Sequence, residues 1–154
     1  VFNGWCVVTV GLLVLAAGRS SRFGSDKRVA LLNDGRAVLH TTLSSAIASD
    51  LPVRVCLPDK DGELVEQSQH LGVETIITCP RSDRGMGCSL AEGVSKCYDW
   101  EGLLVILGDM PFVKTETYLT LANAVKDDAI CIPIFEDNPG NPVAFGRGFF
   151  SSLE

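Results

Sequence analysis

The chain has 154 residues, of which 46% are hydrophobic and 21% charged, with a formal net charge of −6. That length suits one domain with a buried core, the composition excludes a disordered chain, and the acidic balance argues against a nucleic-acid-binding surface. The charge is uneven: residues 1–40 hold five Lys or Arg against two acids, a balance of +3, so the remainder carries −9. A local basic site on an acidic body suits a small anionic ligand.

Taken in order, strand, helix and turn signals alternate, which predicts an α/β domain with a largely parallel sheet. The apolar opening resembles a signal-peptide core, but no basic residue precedes it and it is too short to span a bilayer, so it reads as a short leader and a first strand within 7–17. No membrane association is expected. Residues 28–32 read as a short extended piece and 33–36 (Asn-Asp-Gly-Arg) as a turn. Val38, Leu39, Thr42, Leu43, Ala46 and Ile47 recur at helical spacing, predicting a helix over 37–49. A strand at 52–57, a polar-faced helix at 61–71 and a strand at 73–79 follow. Beyond a Gly-rich loop the pattern predicts a helix over 89–98. The unbroken apolar run 102–107 reads as a central strand buried on both faces. Thr115 is a plausible N-cap for a helix over 115–126. Residues 129–135 read as a strand in which Pro133 marks an edge or a bulge. A turn at 136–141, a strand at 142–145 and a helical start from 149 complete the chain.

The six cysteines, Cys6, Cys56, Cys79, Cys88, Cys97 and Cys131, show no C-x-x-C pair and no zinc spacing. With only His40 and His70 beside them, a His/Cys metal site is not expected, and reduced thiols in a cytoplasmic protein are the favoured reading.

The chemistry concentrates in Leu15-Ala16-Ala17-Gly18-Arg19-Ser20-Ser21-Arg22-Phe23-Gly24-Ser25-Asp26-Lys27. An apolar strand runs into a loop of small residues. Gly18 and Gly24 permit sharp turns and close approach, Ser20 and Ser21 add hydroxyls, and Arg19, Arg22 and Lys27 add charge. Backbone N–H donors, close approach and cations are what a polyphosphate requires. Walker A is excluded because Lys27 arrives two places late after Gly24, and G-x-G-x-x-G is absent. A Gly/Ser turn with solvated cations is the alternative for such a loop taken alone.

Three further segments carry chemistry. Gly108-Asp109-Met110-Pro111 follows the central strand, and ligands of open parallel sheets bind beyond the carboxyl ends of the strands. A carboxylate there suits Mg²⁺, although Asp-x-Pro after a strand also serves as a helix-initiating turn. In the run 84–93, Gly85 and Gly87 make a flexible loop and Ser89 reads as opening a helix with free N–H groups. Gly140-Asn141-Pro142-Val143 reads by itself as a turn into a strand.

These four motifs, in this order, resemble the MobA/MocA-like nucleotidyltransferases, whose first signature is L-A-A-G-x-S-x-R-x-G-x-x-K. The resemblance covers most of the chain. It implies a three-layer, Rossmann-like nucleotide-diphospho-sugar transferase (GT-A-like) fold with a mostly parallel sheet. It further implies transfer of a nucleoside monophosphate from an NTP to a phosphorylated acceptor, molybdopterin or the molybdenum cofactor, with release of pyrophosphate. On this resemblance Arg22, Lys27 and Asp109 are the catalytic residues, Asp109 also holding Mg²⁺. Leu15, Ala16, Ala17, Gly18, Arg19, Ser20, Ser21, Gly24, Gly85 and Ser89 bind the nucleotide, and Asn141 and Pro142 face the acceptor. No covalent protein nucleophile is expected, since no Ser or Cys sits in a triad pattern. Leu15-Ala16-Ala17-Gly18 with Gly108-Asp109 resembles the CTP-using branch, whereas GTP users tend to read L-A-G-G and C-D-x-P. The Ala17 methyl would also take space from a larger purine. The alternatives are a GTP-using molybdenum cofactor guanylyltransferase, a sugar-phosphate nucleotidyltransferase (disfavoured by the lack of a G-G-x-G-T-R-type loop) and a non-catalytic nucleotide-binding module. Members usually run on for several tens of residues past Gly-Asn-Pro, through a Gly-Asp segment that supplies a second acidic metal ligand. The expectation is therefore a single nucleotidyltransferase domain over 1–154 that stops short of that segment. The sequence names no molybdoenzyme or chaperone partner.

Overall fold

The computed structural model describes residues 9–18, 26–59 and 61–154. Strand β1 (Val10–Leu15) is buried at all six positions. It is hydrogen-bonded in parallel to β2 (Val53–Pro58) on one side and to β4 (Gly102–Leu107) on the other. A strand covered on both faces has no solvated side, which is why β1 and β4 read as unbroken apolar runs. The sheet has six strands in the order β3-β2-β1-β4-β8-β5, with β3 at Thr75–Cys79, β5 at Ile130–Cys131 and β8 at Val143–Gly146. β8 runs antiparallel to both β4 and β5, so the sheet is mixed and mostly parallel.

Helices cover both faces. Val10, Leu12 and Val14 pack with residues of α1 (Val38–Ile47), α2 (Gly62–His70) and α4 (Thr115–Ala124), including Leu43, Leu64 and Tyr118. Leu13 and Leu15 face the opposite layer, where Val94 of α3 (Met86–Val94), Phe150 of α5 (Phe150–Leu153) and Trp100 form a second core. Three layers with alternate β1 residues feeding the two cores confirm the α/β expectation.

Local differences from the sequence expectation have physical causes. α3 starts at Met86, not at Ser89, because Gly85, at φ +117°, turns the chain into the helix three residues earlier. Ser89 therefore lies inside α3, and the helix ends at Val94 before a turn that contains Tyr98. Thr115 is the first residue of α4 and not its cap; Lys114 precedes it, and the Thr115 hydroxyl donates to the Ser45 carbonyl at 3.1 Å. The stretch 129–135 divides at Pro133 into β5 and β6 (Ile134–Phe135). β6 pairs with β7 (Asn138–Pro139) across Glu136 and Asp137, both at positive φ, making a hairpin where a plain turn was expected. Residues 27–29 form a turn, and the expected extended piece is reduced to one bridge between Leu31 and Ala37.

Candidate active site

β1 has β2 on one side and β4 on the other, and the chain proceeds to each in turn. The sheet's switch point is thus at the carboxyl ends of β1 and β4, where ligands of open α/β sheets bind. A cleft of about 250 Å³ opens there. One wall is Leu15, Ala16, Ala17 and Gly18 as the chain leaves β1, and the facing wall is Leu107, Gly108 and Asp109 at the end of β4. Met86 and Ser89 of α3 close one side, and Lys27 and Arg28 the other. The two walls stand close because position 108 has no side chain. A Cβ there would lie 2.9 Å from that of Ala16 and 3.2 Å from the Leu15 carbonyl oxygen.

Of the residues singled out from the sequence, the structure brings Leu15, Ala16, Ala17, Gly18, Lys27, Ser89 and Asp109 to this one cleft. Gly85 sits one residue before Met86, at the N-cap of α3. Arg19, Ser20, Ser21, Arg22 and Gly24 lie outside the described residues. Asn141 and Pro142, joined by a cis peptide bond, do not line the cleft but precede β8 beside it: Val143 pairs with Val105, two residues before the end of β4.

Arg28, which the sequence reading passed over, is the most densely bonded side chain here and is only 7% exposed. Its Nη1 donates to the Ala16 carbonyl at 2.9 Å, its Nε to Asp26 Oδ1 at 2.8 Å, and its Nη2 to Asp26 Oδ2. Asp61, the N-cap of α2, stands 3.0 Å from Nη2. Arg28 pairs with Asp26 and Arg36 with Asp34, so the +3 balance of residues 1–40 is that of Arg19, Arg22 and Lys27, and Asp61 adds one negative charge beside Arg28.

The Arg28 guanidinium holds the Asp26 carboxyl below its ordinary range, chiefly through their side-chain hydrogen bonds. A carboxyl whose folded pKa is depressed contributes stability that is present above its unfolded pKa, near 4, and is lost as pH falls through the folded value. We expect Asp26→Asn to flatten the acid limb of the melting curve. Its deficit against wild type should be full at pH 6 and shrink as pH falls from about 4 towards 2. Melting temperatures of both proteins across that range check this, and a deficit unchanged at pH 2 would refute it.

A model of the MobA-like NTP transferase domain matches residues 12–154. The chain belongs to that family. The bifunctional protein GlmU of Koribacter versatilis is 24% identical over 142 residues, 90% of this chain and 30% of its own length. The chain spans about a third of the length of the curated relatives it matches. Among solved structures, Rv0371c of Mycobacterium tuberculosis H37Rv superposes with a TM-score of 0.79 at 26% identity, covering 95% of this chain and 75% of Rv0371c. A nucleotidyl transferase from Methanothermobacter also gives 0.79, at 23% identity, covering 94% of this chain and 74% of that one. The fold is thus that of the nucleotide-diphospho-sugar transferases, and the MobA-like domain is of nucleotidyltransferase type.

Within the MobA-like domain, Ser89 offers a buried hydroxyl at the cleft wall. The residue is 2% exposed, lines the cleft, and its hydroxyl has no hydrogen-bond partner among the described residues. Buried polar groups are nearly always satisfied, so an orphan at a cleft wall marks a place that a ligand or water completes. Its backbone is fixed from below: the thiols of Cys56 and Cys79 both donate to the Ser89 carbonyl, at 3.6 and 3.9 Å. We expect Ser89→Ala to leave the ligand-free protein equally or slightly more stable and to weaken nucleotide binding by about 1 kcal/mol, roughly fivefold. Titration calorimetry with matched melting curves checks both; unchanged affinity would refute the role of the hydroxyl.

Asp109 is exposed at the cleft rim. Among the described residues no cluster of three or more His, Cys, Asp or Glu forms a closed cation cage. A single carboxylate facing an open cleft fits a hard cation that takes its other oxygens from phosphate and water. Arg28 and Met86 are the contributions that sequence reasoning missed. The Asp26-x-Arg28 spacing, repeated in Asp34-x-Arg36, was the visible signal for a local ion pair. The Asp61 and Ala16 contacts depend on tertiary placement. The 62%-exposed Met86 follows from the earlier start of α3.

Proposed function

We propose that this domain transfers a nucleoside monophosphate from an NTP, with CTP favoured, to a phosphorylated acceptor of the molybdopterin or molybdenum cofactor type. An acceptor phosphate oxygen attacks the α-phosphorus, a new P–O bond forms, the bond to the β-phosphate breaks, and pyrophosphate leaves with that electron pair. The observation that carries this reading is the convergence on one cleft at the switch point of Lys27, Asp109 and the Ser89 hydroxyl, which has no partner among the described residues. Such a site works by positioning and charge stabilisation. Lys27 meets the triphosphate and the departing pyrophosphate. Arg22, with Arg19 at the loop rim, joins it in this proposal. Asp109 would hold Mg²⁺, which supplies charge neutralisation between phosphate oxygens; Rv0371c has also been solved in complex with manganese. Gly18 and its loop, with Gly85 at the start of α3, flank the nucleotide.

For the base, Ala17 is 1% exposed and lines the cleft, so its methyl adds bulk to a closed wall and favours the smaller pyrimidine. Asn141 and Pro142, beside the end of β4, are the segment nearest in the sheet to offer the acceptor. The five described cysteines are free, which accords with a cytoplasmic setting. No described helix is long and apolar enough to cross a membrane.

The test is thermal-shift binding of CTP and GTP with and without Mg²⁺, followed by an assay of pyrophosphate release with molybdopterin. A ligand that binds only the folded state raises the melting temperature with occupancy. A Mg²⁺-dependent shift with CTP and acceptor-dependent pyrophosphate are expected. A shift with GTP alone would transfer the assignment to guanylyl transfer. Binding without turnover would favour a nucleotide-binding module, and no shift with either nucleotide would overturn the reading.

A further inference from the structure

The chain leaves β1 through Ala16, and Asp26 precedes Lys27. One side chain joins Ala16 to Asp26. The Arg28 guanidinium donates to Ala16 O at 2.9 Å on the outgoing side and grips the Asp26 carboxylate on the returning side. Asp61 ties the same group to the N-cap of α2 at 3.0 Å. The backbone of these residues adds to the brace. Ala16 N–H donates to Cys56 O at 2.9 Å, Arg28 N–H to Asp26 Oδ1 at 3.0 Å, and Leu39 N–H at the start of α1 to Arg28 O at 3.0 Å. Lys27 sits between the two anchored residues Asp26 and Arg28, so its Cα is fixed from both sides.

Arg28 is itself ill suited to bind phosphate. Its Nε, Nη1 and Nη2 are engaged, it is 7% exposed, and two carboxylates outweigh its charge. A planar fork of five donors can reach three partners at once, whereas an ammonium is a single point on a flexible stem. We propose that Arg28 is a positioning residue that clasps Ala16 to Asp26 and acts on turnover through Lys27, without touching the nucleotide. This rests on the nucleotidyl-transfer reading given above.

The experiment compares wild type, Arg28→Lys, Lys27→Ala and the double variant in steady-state transfer, with melting temperatures and amide hydrogen exchange of the ligand-free proteins. Arg28→Lys keeps the charge opposite Asp26 and Asp61, so it is the variant that best preserves folding, and Arg28→Gln is the harsher companion. Arg28→Lys is expected to lower kcat about 10- to 100-fold with KM for the NTP within about threefold, the pattern of an interaction realised in the transition state. It should also speed exchange at Ala17, Gly18 and Lys27 while β1 amides stay protected. In the Lys27→Ala background the Arg28 change should cost less than threefold further. Additive losses, or an unchanged kcat with only a lower melting temperature, would overturn the clasp. Wild-type protein that neither binds nor turns over nucleotide would instead overturn the nucleotidyl-transfer reading, and that outcome is seen before any variant is made.

Discussion

Replacing Lys27 with alanine is expected to lower kcat for nucleotidyl transfer by about 10²- to 10³-fold while the fold stays intact, the scale found when one preorganised donor is removed from developing negative charge. Lys27 is half-buried and lines the same cleft as Asp109. Its neighbours in the chain are pinned through the Arg28 network, so the backbone from which the ammonium reaches the cleft is held in place. Charge delivered without reorganisation is worth most in a cleft walled by apolar groups such as Leu15, Ala16 and Leu107. The loss should fall on kcat more than on KM, because pyrophosphate departure concentrates charge beyond that of the bound triphosphate. Steady-state kinetics with a circular-dichroism melt decide the matter. Turnover near wild type would remove Lys27 from the chemistry.

The largest expected effect on stability lies at the other end of β1. Gly11→Ala should destabilise the protein by ~3 kcal/mol and lower its melting temperature by roughly 10 °C. A Cβ at Gly11 would stand 2.4 Å from three ring atoms of Trp100. The indole cannot retreat easily: it is 2% exposed, and the Arg54 guanidinium lies over the ring at 4.3 Å. That guanidinium is fixed by two hydrogen bonds to Asp99, at 2.7 and 2.6 Å. A fused ring has no flexible tip to swing aside, so the strand or the whole turn at 97–100 must move. Trp100→Leu shrinks the obstacle, and the penalty of Gly11→Ala should fall by at least half in that background. Equal penalties in both backgrounds would show that the ring contact is not the cause.

How far the sequence revealed this arrangement varies with the kind of physics involved. β1 and β4 were legible because strands covered on both faces have no polar positions, and the apolar runs 10–15 and 102–107 have the length of strands and are flanked by turn residues. The placement of Asp109 opposite Leu15–Gly18 was legible too, since both follow buried parallel strands and must emerge at one edge of the sheet. α3 was misjudged at its start because Gly85 and Gly87 look like loop residues, whereas the chain uses the positive φ of Gly85 to enter the helix. That error hid the inward position of Ser89. The hairpin of β6 and β7 was missed because no Gly or Asn occupies its turn; Glu136 and Asp137 take the positive φ instead. Arg28 was illegible as a junction because two of its partners, Ala16 and Asp61, lie 12 and 33 positions away in the chain.

The cleft also sits on the seam with the most distant partners. β1 meets β2 about 40 residues on, but its pairing with β4 joins Val10 to Gly102, about 90 residues apart. Loop closure over such a distance is slow, so a chain in which β1, β2 and β3 have already zipped still lacks the Gly108–Asp109 wall. A half-assembled sheet would therefore lack the cleft, and on the nucleotidyl-transfer reading nucleotide should slow unfolding without accelerating the early stages of refolding.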